Sequence, residues 1–159
     1  QIKFVTFFFF FLNIRPYARE FLSRMARKFE LVVFTSARQD YAERVINILD
    51  PQNTLIKYAL FRQSCVPYKG ICMKEFGVIS NRNIEDMIMV DNAIFSYALN
   101  LENGIPIKPY FEGRDDRELK FLADLLDRLQ PYEDTRSFIQ NQLKLSSFYS
   151  YLRSINNQY

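Results

Sequence analysis

Three stretches of the chain leave an apolar run abruptly for a polar residue. Leu31-Val32-Val33-Phe34 turns polar at Thr35-Ser36, Met87-Ile88-Met89-Val90 turns polar at Asp91-Asn92, and Phe4 to Leu12 (FVTFFFFFL) ends near Asn13. Unbroken runs of this length read as strands buried on both faces. Between them the apolar residues recur at helical spacing. Phe21, Leu22, Met25, Ala26 and Phe29 form one such stripe, opposite Arg19, Glu20, Arg24, Arg27 and Lys28, with Pro16 placed at or near the first helical position. Tyr41, Ala42, Val45, Ile46 and Leu49 form a second, which Asp50-Pro51 ends. Leu119, Leu122, Leu125, Leu126 and Leu129 form a third, preceded by Asp115 and Asp116, acids suited to a helix N-terminus. Short strands are expected at Ile56 to Phe61 and Gly104 to Ile107, a turn or short helix at Asn83 to Asp86, and a last helix over Glu133 to Leu143. Arg62 to Met73, with Pro67 and Gly70, reads as loop.

Strands alternating with helices predict an α/β fold with a mostly parallel sheet covered on both faces. In such sheets ligands gather at the carboxyl ends of the strands. The three long strands should therefore share one sheet, with Thr35 and Asp91 at the same edge. On its own, Thr35 also fits a residue that merely starts a loop and helps cap the next helix.

Composition changes this picture little. The 159 residues, 48% hydrophobic and 25% charged, suit one globular domain whose sixteen Phe and ten Tyr supply ample core volume. A net charge of +3 without a Lys/Arg run gives no argument for direct nucleic-acid binding, though it is compatible with an anionic ligand. The apolar runs fall well short of the ~20 residues that span a bilayer, so no membrane span is expected. Histidine is absent, which removes Ser/His and Cys/His catalysis and any His-based metal site. Cys65 and Cys72 lack Cys-x-x-Cys spacing and are expected to stay reduced as small buried side chains. A reducing compartment, nuclear or cytoplasmic, is the corresponding expectation.

The polar positions make sense together. A hydroxyl (Thr35) and an ammonium (Lys74) can hold a phosphoryl group, and a carboxylate with a carboxamide (Asp91, Asn92) can hold Mg²⁺ through oxygen. Each alone is ordinary: lysines usually lie on the surface, and Asp is a common turn former.

In order along the chain, Arg15-Pro16, Glu20-Phe21-Leu22, Phe29 to Ala37, Ile48 to Pro51, Leu60 to Cys65, Val90-Asp91-Asn92, Asn103 to Ile107, Asp115 to Leu119 and Glu133 to Arg136 resemble the NLI-interacting-factor-like, or CTD small phosphatase (FCP-homology), branch of the haloacid dehalogenase superfamily. The resemblance runs from about Ile14 to Leu143. It implies a Rossmann-like phosphatase domain over residues 1–145, followed by a polar tail, 146–159.

It also implies an activity: Mg²⁺-dependent removal of phosphate from phosphoserine or phosphothreonine in a protein such as the RNA polymerase II C-terminal domain, through an aspartyl-phosphate. Thr35 and Lys74 match the family's catalytic hydroxyl and lysine. Arg62 and Ser36 fall at substrate-binding positions, and Asp91 and Asn92 at the metal. The family's nucleophile motif is a strand followed by Asp-x-Asp-x-Thr. Here no Asp precedes Asp40 and no Asp-x-Asp occurs anywhere. An N-terminally truncated domain is one expectation from this. The other is a non-catalytic pseudophosphatase, a binding or scaffold module such as the mitochondrial translocase receptor that shares the domain.

Overall fold

The computed structural model describes residues 3–7, 14–112, 115–129 and 132–143. Five strands form one sheet in the order β3-β2-β1-β6-β7, all parallel. They are β1 (Lys3–Phe7), β2 (Phe29–Phe34), β3 (Ile56–Leu60), β6 (Met87–Asp91) and β7 (Gly104–Pro106). A separate two-stranded hairpin joins β4 (Val66–Tyr68) to β5 (Ile71–Met73). The helices are α1 (Ala18–Met25), α2 (Gln39–Leu49), α3 (Glu118–Asp127) and α4 (Thr135–Leu143). The remainder of the expected first strand, Phe8 to Leu12, and the polar tail 146–159 lie outside the described residues.

The apolar runs work as anticipated. β2 and β6 are buried on both faces, so alternate residues enter two different cores. Leu31, Ile88 and Val90 join Val5, Phe21, Leu22, Met25, Leu122, Leu126 and Phe138 on the helical face. Val32, Phe34, Met87 and Met89 meet Phe76 and Tyr97 on the other. Among the described residues that second face is covered by Phe76 and a kinked 3-10 stretch, Ile94–Asn103, with no long helix over it.

Local details differ from the sequence expectation. Pro16 lies in a turn, and Tyr17, in left-handed conformation at φ 66°, precedes the first helical residue, Ala18. Phe29, counted into the α1 stripe, opens β2, because the helix stops at Met25. Of the α2 stripe only Ala42 and Leu49 are buried, with Tyr41 at the surface. Asp116 does serve α3, its carboxylate accepting the Glu118 N–H.

Long-range ion pairs fasten the helical layer. Arg15 holds Asp116 through two parallel 2.8 Å bonds, and Arg24 and Lys28 of the α1 region reach Asp124 and Asp127 of α3. The Arg15 guanidinium holds the Asp116 carboxyl below the usual carboxylate range. At Asp50, burial by itself pushes the carboxyl up. The Ile56, Leu55 and Thr54 N–H groups outweigh it, and the net position is low. A carboxyl depressed in the folded state stabilises fully above its unfolded pKa, about 3.9. That stability is lost as pH falls through the lower folded value. Urea midpoints are therefore expected to hold from pH 7 down to about 5 and to fall steeply below about 4, with a shallower fall in Asp116→Asn.

Gly104 shows how tightly β7 meets the second core. A Cβ at this position would run into the Tyr97 ring, which is fully buried. Gly104→Ala is expected to destabilise by about 1–3 kcal/mol, the range for overpacking, readable as a lower urea midpoint. Tyr97→Leu should relieve part of that loss in the double variant.

Candidate functional site

The sheet topology brings the tips together. β1 lies between β2 and β6, with Phe7 level with Val33 on one side and Val90 on the other. Thr35 follows β2 and Asp91 ends β6, so both leave the same edge of a parallel sheet, as anticipated.

Thr35 is buried, with its N–H donating to the Leu60 carbonyl at 2.8 Å. Its Oγ1 accepts the Ala37 N–H at 3.0 Å, which leaves its own proton to donate elsewhere. This bond folds the loop back on itself. Capping of α2 is not its role, since Arg38 occupies the cap position and no side chain caps the helix. Ser36 is half-buried and offers its carbonyl to Arg62 Nε at 2.6 Å, while the Arg62 N–H donates to the Ala37 carbonyl. Arg62 is thus exposed but turned onto the Thr35–Ala37 loop. Beside it opens a groove of about 630 Å³ lined by Arg38, Gln39, Asp40, Glu43, Arg62 and Gln63.

Lys74 comes from the far side. It follows β5, its backbone N–H donates to the Ser96 carbonyl, and its ammonium bonds the Asp91 carboxylate. Both side chains are at most 2% exposed. Burial pushes the Lys74 ammonium down, and the Asp91 charge opposes that. The other Asp91 oxygen accepts the Ala93 N–H at 2.7 Å. Asn92 is exposed beside this turn. Sequence placed Lys74 and Asp91 in the same site but did not reveal their direct pairing across 17 positions, nor the backbone anchors at Ala93 and Ser96.

The expected loop from Arg62 to Met73 is in fact built. A 3-10 turn (Arg62–Ser64) leads into the β4–β5 hairpin, which packs against the 3-10 stretch after β6. Lys69 and Gly70, at φ 46° and 80°, form its two-residue turn. Two successive positive φ values suit the tight primed turn of a hairpin, and Gly70 was the one available signal.

A phosphatase family model, the NLI interacting factor-like phosphatase, matches residues 4–136 of this scaffold. The chain belongs to this family. It is 37% identical over 135 residues to CTD small phosphatase-like protein 2 of Dictyostelium discoideum, covering 85% of this chain and 24% of that protein. It is 35% identical over 149 residues to CTD small phosphatase-like protein 3 of Caenorhabditis elegans, covering 93% and 52%. The human Carboxy-terminal domain RNA polymerase II polypeptide A small phosphatase 2 is 35% identical over 120 residues, covering 76% and 44%. The chain thus spans roughly a quarter to a half of the length of these relatives. Among solved structures, a variant of the fission yeast RNA polymerase II CTD phosphatase Fcp1 bound to beryllium fluoride superposes with a TM-score of 0.55 at 20% identity, covering 87% of this chain and 41% of that one. That likeness establishes the haloacid dehalogenase-like fold.

The donor set for an NLI-interacting-factor-like metal is thin. Among the described residues no group of three or more His, Cys, Asp or Glu could hold an ion. Asp91 is the one carboxylate of the expected pair, and both its oxygens already carry a bond, to Lys74 and to Ala93 N–H. Mg²⁺ asks for near-octahedral oxygen and usually one or two carboxylates besides water and phosphate. One engaged carboxylate and one carboxamide do not make such a site.

Proposed function

We propose that these 159 residues bind the phosphate of a phosphoserine or phosphothreonine in a protein and do not hydrolyse it. The observation that supports this is the convergence of Thr35, Lys74 and Arg62 on one sheet edge around a central strand that brings no carboxylate. The Thr35 hydroxyl proton suits a phosphate oxygen, the Lys74 ammonium supplies compensating charge, and Arg62 with Ser36 shapes the entrance. Asp91 holds Lys74 in place. The relatives named for the RNA polymerase II C-terminal domain make a phosphorylated Ser/Thr-rich peptide the natural ligand to try. The whole protein's activity is proposed at the family level only: dephosphorylation of phosphoproteins, with the Asp-x-Asp-x-Thr element as its further requirement. The alternative, a scaffold in the manner of a pseudophosphatase, describes the same binding put to a different use.

The test is calorimetric titration with a phosphoserine peptide and its unphosphorylated twin. Only the phosphorylated peptide is expected to bind. Arg62→Ala should weaken it about tenfold or more, since a charge-assisted hydrogen bond contributes roughly 1.5–3 kcal/mol. Equal binding of both peptides would defeat the proposal.

A further inference from the structure

The two cysteines sit in one small hairpin beside the phosphate cradle, and the site has no use for their sulfurs. Their relation follows from the turn. Because Lys69-Gly70 fixes a two-residue connection, the register is pinned: Tyr68 faces Ile71, Pro67 faces Cys72 and Val66 faces Met73. Cys65 stands one residue before β4 with its backbone still extended, at φ −83° and ψ 149°. Side chains alternate along an extended strand, so Cys65 shares a face with Pro67, and therefore with Cys72. The two are diagonal neighbours across the hairpin. Both are free thiols and half-buried, less covered than the small buried side chains expected from sequence.

We propose that Cys65 and Cys72 form a reversible intramolecular disulfide when the chain meets a peroxide, which makes the β4–β5 hairpin an oxidation site.

The geometry is close without being already closed. Diagonal neighbours in an antiparallel pair have Cα atoms about 7–8 Å apart, and a disulfide requires about 4.4–6.8 Å. Closure therefore needs a pinch of about 1 Å between the strands. β4 is exposed along its whole length, so the movement falls to that strand, while β5 stays packed against the Ile94–Asn103 stretch and Cys65 keeps its contact with the second core; among the described residues the hairpin is a two-stranded sheet of its own. The sulfurs also sense each other. Burial pushes the Cys65 thiol up, and Cys72 is the next largest influence in the same direction. A raised Cys65 is a poor first nucleophile, which leaves the first attack to Cys72.

The Cys72 thiolate attacks the peroxide O–O bond, giving a sulfenic acid and, after proton uptake, one water. The Cys65 sulfur then attacks the sulfenic sulfur, the S–S bond forms, and the second oxygen leaves as water. Two thiols and one peroxide become one disulfide and two waters, with sulfur oxidised and peroxide reduced.

The consequence for binding rests on the phosphate reading above. Cys65 Sγ donates to the Thr35 carbonyl at 3.8 Å and the Phe61 carbonyl at 4.0 Å, and oxidation removes that proton. Lys74 lies two residues beyond Cys72, just past the end of β5. The oxidised hairpin should therefore loosen both flanks of the cradle, and phosphopeptide affinity should fall.

The experiment treats the reduced, folded 159-residue chain with a slight excess of hydrogen peroxide, quenches it, and counts thiols under denaturing conditions. The expected titre falls from two per chain to zero with the chain still monomeric, and dithiothreitol restores it. Trypsin should release Gln63–Lys69 linked to Gly70–Lys74, a species missing from Cys65→Ser and Cys72→Ser. A titre that stays at two, disulfide-linked dimers, or separate sulfinic acids at either position would overturn the proposal. The linked peptides are read without any ligand. If the reduced chain binds no phosphopeptide, the functional reading falls while the oxidation site stands on its own result.

Discussion

Asp91→Ala is expected to destabilise the fold by about 3–5 kcal/mol, the cost of leaving a buried charge without its partner. Lys74 is 2% exposed and its ammonium bonds the Asp91 carboxylate, which is 1% exposed. Removing the carboxylate takes the Asp91 charge away from an ammonium in a low-dielectric pocket, where burial already pushes it down. The ammonium would then deprotonate, recruit water, or pull the β5 end of the hairpin away from the sheet. The loss also takes the Asp91 bond to Ala93 N–H, which shapes the turn carrying Asn92. Lys74→Met alone should cost less, because a neutral side chain of similar length fills the space and Asp91 keeps its backbone donor. The pair Lys74→Met/Asp91→Leu should be markedly better than the sum of the singles, as replacing a buried ion pair with well-packed apolar groups is often near neutral. Urea unfolding of the three variants checks this. Additive losses would mean that the two charges do not act as a unit.

This pair illustrates where sequence stops informing structure. The runs Leu31–Phe34 and Met87–Val90 were legible because burial on both faces leaves no polar position within them, and the polar residues that end them mark the edge where the sheet meets solvent. The order of strands, with β1 between β2 and β6, was not legible, because burial on both faces says that a strand is central without naming its neighbours. What eluded the pattern is set by distance and by backbone. Arg15 and Asp116 bond across 101 positions, and Lys74 and Asp91 across 17; periodicity carries no information about such partners. Val66–Tyr68 contains Pro67 and is only three residues long, too short for an alternating signal. Its hairpin is defined by the turn conformation at Lys69-Gly70, which lacks the Asn-Gly or Asp-Gly wording of the common primed turns. Phe29 satisfied the α1 stripe by spacing and still opened β2, because the chain leaves the helical conformation after Met25. The family resemblance grouped Thr35, Lys74, Arg62 and Asp91 in one site, but it could not convey that Asp91 bonds Lys74 and the Ala93 N–H, or that Arg62 bonds the Ser36 carbonyl.

That commitment bears directly on turnover. The chain, supplied with Mg²⁺ and a phosphoserine peptide, is expected to release phosphate no faster than the peptide left alone. Splitting phosphoryl transfer into two steps needs a nucleophile in line with phosphorus. Asp91 is held by an ammonium on one oxygen and a backbone N–H on the other, on β6 and not on the central strand. The sequence following Phe7 continues as four further phenylalanines, and the chain has no histidine to act as base toward the Thr35 hydroxyl. What the site retains is positioning and charge. In a serine protease stripped of its triad, such remnants still give roughly 10³–10⁴-fold over water. Enzymes acting on phosphate monoesters achieve accelerations up to ~10²¹, so the uncatalysed reaction is slow enough that a 10⁴-fold remnant stays far below detection. Released phosphate is measured against a no-protein blank in the unmodified chain, in Lys74→Ala and in Asp91→Ala. Release that Lys74→Ala abolishes would place a nucleophile within these 159 residues that the geometry does not reveal. A longer chain carrying Asp-x-Asp-x-Thr on a strand able to pair with β2 and β6 should hydrolyse the peptide, and the same two substitutions should remove that activity.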